Sequence, residues 1–172
     1  VIAVPLGIMC VRYKNSQRIV ISFFGILRII PSLAILILLI PILGTGIKPA
    51  LIALILLGIP PILMNTVAGL ESVPEFMLET AASCGMTSKQ VWMKVLFPLA
   101  LPLILAGIKT AAVEVIASAT LAAKIGAGGL GEIIFTGLGL NRTDLLSIGG
   151  VSVAILSSPA SLVFEITDRN LF

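Results

Sequence analysis

Apolar positions along this chain fall into long runs rather than into alternation or a half-buried helical stripe. Residues 1–11, Ile19–Leu43, Pro49–Leu70, Leu99–Ala123 and Leu145–Phe164 are largely apolar, and the polar residues gather between them. About 20 apolar residues at ~1.5 Å per residue match the ~30 Å hydrocarbon core of a bilayer, so the pattern predicts membrane helices joined by surface turns. Val1–Val11 is too short to cross alone and lacks the charged leader of a signal peptide, so we read it as the end of a membrane helix that starts before Val1. Five helices are expected, the first incomplete, and the fold class is an all-α polytopic bundle forming one domain over residues 1–172.

The long segment that breaks this pattern is Ser72–Pro98, SVPEFMLETAASCGMTSKQVWMKVLFP. Its spacing predicts two short helices around a glycine elbow. Ser72 and Glu75 have capping-box spacing, with Pro74 in the first turn where a missing N–H does no harm. Gly85 stands where a helix C-terminus needs a positive φ, and Thr87 with Gln90 offers a second capping box. Pro98 either follows the second helix or sits in the first turn of the next. A solvated loop would not need Phe76, Met77, Val91, Trp92 and Val95, which are large and apolar and must pack on something.

The apolar runs carry their own interruptions. Pro31 and Pro41 should bend the second run, and Pro60-Pro61 should break or kink the third near its middle. Asn65 and Thr66, polar residues of that run, either glue helices together or line a path. Ala111, Val115, Ser118 and Ala122 form a small-residue face on the fourth run, which argues for a central position. Three ions fall inside the spans. Arg28 is either buried and paired or lines a path. Lys109 and Glu114, about 140° apart around a helix, do not suit each other and should find partners on other helices, with Arg28 possible for Glu114. The glycine-rich stretch Lys124–Gly131 is no nucleotide loop, since no strand precedes it and no Gly-Lys-Ser/Thr closes it; a tight turn before a short interfacial helix, Glu132–Leu138, is expected. Asn141–Asp144 should cap the last helix, with Glu165, Asp168 and Arg169 at its far surface.

Composition agrees with the membrane class. The chain is 58% hydrophobic and 11% charged, with a mean hydropathy of +1.19, against about 25% charged residues in soluble domains. A net charge of +3 without a basic patch gives no reason to invoke nucleic acid. With no histidine and with Cys10 and Cys84 far apart, a metal site and a disulfide are both unexpected. No Walker loop, paired carboxylates or Ser-His set is present, so an enzyme is not expected. Lysine and arginine set the orientation. Arg12, Lys14, Arg18, Lys89, Lys94 and Arg169 lie on the hairpin's side, and Lys48, Lys124 and Arg142 on the other, which places the hairpin in the cytoplasm.

Glu79-Thr80-Ala81-Ala82-Ser83-Cys84-Gly85, followed by Val95-Leu96-Phe97-Pro98, resembles the EAA loop of ABC-importer permeases. Thr80 and Phe97 depart from that pattern, and neither should disturb a helix-turn-helix. Ile30–Ala34, Pro61–Thr66 and Gly126–Gly131 resemble the osmoprotectant-uptake branch, and the last is also similar to methionine permeases. The resemblance covers nearly the whole chain. It implies a type I ABC importer permease in a prokaryotic cytoplasmic membrane. The chain would work with a cytoplasmic ATPase dimer that binds ATP and Mg, a second permease copy giving a homodimer, and an external or fused substrate-binding protein. No cofactor would bind this chain. Residues 72–98 would be the coupling hairpin, with Glu79, Ala81, Ala82, Gly85 and Pro98 in the motif and Phe76, Met77 and Trp92 as apolar docking contacts. Glycine betaine, carnitine or choline would be the solute. Path residues would come from Arg28, Asn65, Thr66, Lys109, Glu114 and Ser118. Another small solute such as methionine, or a secondary transporter, is the alternative.

Overall fold

The computed structural model describes residues 2–171, and the side chains of residues 2–13 and 17–159. The side chains of Lys14, Glu165, Asp168 and Arg169 therefore lie outside the described residues. Ten α-helices follow in order: α1 (Ala3–Arg12), α2 (Lys14–Ile29), α3 (Ser32–Leu38), α4 (Ile40–Leu43), α5 (Ile47–Glu71), α6 (Glu75–Ser83), α7 (Ser88–Val91), α8 (Phe97–Ala122), α9 (Leu130–Gly139) and α10 (Thr143–Leu171). By length and composition α5 and the rod Ser88–Ile125 can each cross a membrane, and α2 with α3–α4 makes a third span if the bent pair counts as one.

The second apolar run is not one helix. It starts earlier than expected, at Lys14, and turns by 92° between Ile29 and Ser32. Ile30 and Pro31 are both extended there, with ψ of 125° and 135°. A residue before proline is pushed out of the α region by the ring, and Pro31 cannot donate to the preceding turn. Arg28 consequently lies in the last turn of α2, exposed at the break, and not in mid-helix.

Pro60 and Pro61 do not break the helix. α5 runs through both without interruption, and both are fully buried. The reason is the neighbour. Gly107 of α8 lies so close that an added Cβ would sit 3.0 Å from the Pro61 carbonyl oxygen and 2.6 Å from Asn65 Cβ. The Asn65 amide donates to that same carbonyl at 2.8 Å. Tertiary packing thus holds a helix that loses two internal hydrogen bonds.

α5 and α8 form the centre of the bundle, as the small-residue face implies. Ala111, Ser118 and Ala122 are buried, and Val115, half-buried, meets Gly58. Without a hydrophobic drive between helices in lipid, close approach at small residues is the main source of association. α1 packs on α5 through Gly7, where a Cβ would collide with Thr66 at 2.8 Å. The Gln17 amide donates to the Glu71 carboxylate and ties α2 to the end of α5. The glycine-rich turn is as expected. Gly126, Gly128 and Gly129 have φ of 81°, 73° and 87°, and α9 follows. Lys124 sits over the Phe135 ring at 5.0 Å, a cation–π contact that helps hold α9.

Candidate functional site

The hairpin between α5 and α8 is built mostly from local signals. α6 ends in a full Schellman motif: the Gly85 N–H donates to the Ala82 carbonyl at 3.0 Å, and the Met86 N–H to the Ala81 carbonyl at 3.3 Å. Gly85 has φ of 84°, and nothing lies within 4 Å of where its Cβ would be. Its requirement is therefore conformational and not spatial. This gives a physical reading to the Ala81-Ala82-x-x-Gly85 spacing, since the two alanine positions supply the carbonyls that the elbow closes on. The second box also forms, with the Thr87 N–H donating to Gln90 Oε1 at 2.8 Å.

Two expectations need correction. Ser72 does not cap α6. Its hydroxyl donates to the Gly69 carbonyl at 2.8 Å and so finishes α5, while Pro74, not Ser72, is the residue that precedes α6. Buried Val73 holds the chain in at this corner, which leaves Ser72 on the wrong side of the turn. The second limb of the hairpin is also not a separate helix. α7 passes through one π turn, Trp92–Leu96, into α8, and Ser88–Ile125 forms one rod of 38 residues. Pro98 sits in the first turn of α8, and its ring excludes the ordinary position of the Lys94 carbonyl; the wider π turn lies just upstream, where it relieves that clash.

The hairpin's apolar side chains divide into two sets. Phe76 and Met77 are exposed, as are Met86 and Met93. Trp92 is half-buried and stacks on Phe97 with ring centroids 5.8 Å apart. Glu79 is exposed and uses its backbone carbonyl to accept the Ser83 hydroxyl at 2.9 Å. A cleft of 240 Å³ lies between the limbs, walled by Leu78, Ala82, Met86, Val91 and Trp92. A larger one of 690 Å³ opens beside it between Arg12, Leu70, Lys89 and Trp92.

The six intramembrane positions separate. Arg28, Glu114 and Ser118 line one cleft of 300 Å³ at the α2–α3 break. Arg28 and Glu114 do not form the ion pair considered for them; Arg142 with Asp144 is the one ion pair among the described residues. Lys109, half-buried, joins no ion pair there either and does not line the cleft. Asn65 and Thr66 bond their own helix and pack against Gly107 and Gly7, away from it. Ser32 also lines the cleft and was not singled out from sequence. Its signal was its place directly after Pro31, where a helix break frees backbone and side chain together.

An apolar helical bundle with an exposed polar hairpin is the architecture of an integral membrane protein. The model of the family described as binding-protein-dependent transport system inner membrane component matches residues 3–172, and the chain belongs to that family. It is thus a multi-pass inner-membrane component, and the resemblance to ABC-importer permeases holds. The chain is 42% identical over 171 residues to the glycine betaine/carnitine/choline transport system permease protein OpuCB of Bacillus subtilis, covering 99% of this chain and 79% of that protein. It is 46% identical over 156 residues to the carnitine transport permease protein OpuCB of Listeria monocytogenes, covering 91% and 72%. Its fold matches a chain of the MetNI methionine ABC transporter in an inward-facing conformation, with a TM-score of 0.85 at 23% identity over 99% of this chain and 86% of that one. Membership sets aside the secondary-transporter reading.

Proposed function

We propose that this chain is the permease of an ATP-driven importer for quaternary ammonium osmoprotectants, and that the hairpin is its cytoplasmic coupling element. The observation that carries the coupling reading is the continuity of α7 with α8. A load applied at the elbow is carried along one unbroken helical rod, Ser88–Ile125, into the bundle. A cytoplasmic ATPase dimer, carrying ATP and Mg, grips exposed Phe76 and Met77 and the polar shell around Glu79. Closure of that dimer displaces α6, the Schellman elbow at Gly85 transmits the displacement to the 38-residue rod, and α8 moves against α5. The bundle, paired with a second copy of itself, then opens to accept solute from a substrate-binding protein, free or fused. Choice of glycine betaine, carnitine or choline as solute is supported by the relatives at 42% and 46% identity, whereas the methionine transporter shares only the fold.

The elbow is the place to test it. Gly85→Trp forces a bulky residue into left-handed backbone, at a cost of roughly 1–2 kcal/mol, and should abolish ATP-driven uptake. Gly85→Asn, which tolerates that conformation, should keep most of it. Normal uptake and normal ATPase co-purification with Gly85→Trp would end the coupling reading.

A further inference from the structure

The 92° break between α2 and α3 does more than redirect the chain. It opens a cleft of 300 Å³ bounded by Arg28, Pro31, Ser32, Leu57, Glu114 and Ser118. Leu57 falls near the middle of the 25-residue α5, so the cleft lies near half depth in a helix long enough to span. Arg28 and Glu114 reach it from different helices. Neither is engaged in an ion pair with any described residue. Ser118 is 3% exposed, yet its hydroxyl finds no acceptor among the described residues. Thr110 and Thr120 on the same helix, and Ser147 and Ser152 on α10, all donate to a carbonyl of their own helix. A buried hydroxyl left without a partner, in a cleft shared with two opposite charges that do not close on each other, is costly at this depth unless something else satisfies it.

The geometry points to a transient binding site for a small zwitterion, its carboxylate on Arg28 and its cation facing Glu114. This rests on the osmoprotectant reading and deepens it. Arginine offers a planar fork that matches a carboxylate in two bonds. A quaternary ammonium has no N–H to donate, so Glu114 meets it by charge alone, and Ser118 and Ser32 supply hydroxyls for the carboxylate end. The volume of 300 Å³ is at the small end of ligand pockets, which span about 300–1,000 Å³, and suits a molecule of betaine size. The arrangement separates the solutes. Glycine betaine and carnitine carry a carboxylate and use both charges. Choline carries only the cation and has no use for Arg28.

The test is uptake by proteoliposomes holding the assembled permease, its ATPase and its binding protein, with each of the three solutes at subsaturating concentration. Arg28→Gln should lower glycine betaine and carnitine uptake by about tenfold or more and leave choline within about twofold. Glu114→Gln should lower all three. If Arg28→Gln does not assemble, Arg28→Lys, which keeps the charge and loses the fork, is read the same way. A fall in all three solutes with Arg28→Gln or Arg28→Lys, in step with lost ATPase co-purification, would make Arg28 structural and overturn the site. A wild type that carries none of the three overturns the osmoprotectant reading itself. A wild type that carries them, with Arg28→Gln indifferent to the carboxylate, overturns the cleft alone.

Discussion

The α5–α8 centre and the α6–α7 hairpin both depend on glycine, for opposite reasons. In the centre, glycine supplies space. A Cβ on Gly69 would lie 2.9 Å from the Ala100 carbonyl oxygen, and one on Gly107 would lie 2.6 Å from Asn65 Cβ. In the hairpin, glycine supplies a conformation. Gly85 has empty surroundings and a φ of 84°. One region is held by what touches it, the other by what its own backbone can do. Stability should therefore reside in the first, and a transmissible shape in the second.

The sharpest way to break this contrast is overpacking. Gly69→Val and Gly107→Val should each destabilise the bundle by about 3 kcal/mol, at the upper end of overpacking costs, because the Ala100 and Pro61 carbonyl oxygens and the stiff Asn65 Cβ are in the way. Thermal melting of the detergent-solubilised protein would measure this, and a shift no larger than that of a surface substitution would erase the distinction. The hairpin should respond more weakly. Thr87→Ala removes one side of the second capping box and should cost about 1 kcal/mol, confined to local protection of Ser88–Val91 in hydrogen exchange. Phe76→Ser should leave the melting temperature almost unmoved, within about 0.5 kcal/mol of wild type, since the ring is exposed. It should nevertheless lower ATPase co-purification. Equal loss of stability and co-purification would mean that Phe76 packs on this chain and not on a partner.

The same division governs what could be read in advance. Elements fixed by local chemistry were legible. The apolar runs, the elbow at Gly85, the Thr87–Gln90 box and the glycine turn before α9 each depend on residues within a few positions of one another. The clearest failures are long-range. Proline type alone argued for a break at Pro60-Pro61, but Gly107, over 40 residues away, seals that helix. Ser72 had the right spacing for a cap, but burial of Val73 put it at the end of the preceding helix. The candidate path residues looked alike from sequence, and the fold grouped Arg28, Glu114 and Ser118 while sending Asn65 and Thr66 into packing contacts.

By itself the sequence determined that this is a membrane protein of helical runs with one structured polar hairpin, because hydropathy, capping and left-handed glycine are properties of neighbours along the chain. Only the tertiary structure decided that the hairpin's second limb is continuous with α8, that the proline pair is carried through, and that two charges of opposite sign share a cleft at a helix break. The last two outcomes depend on which distant backbone comes within contact range. That is fixed by packing between helices, and no local pattern encodes it.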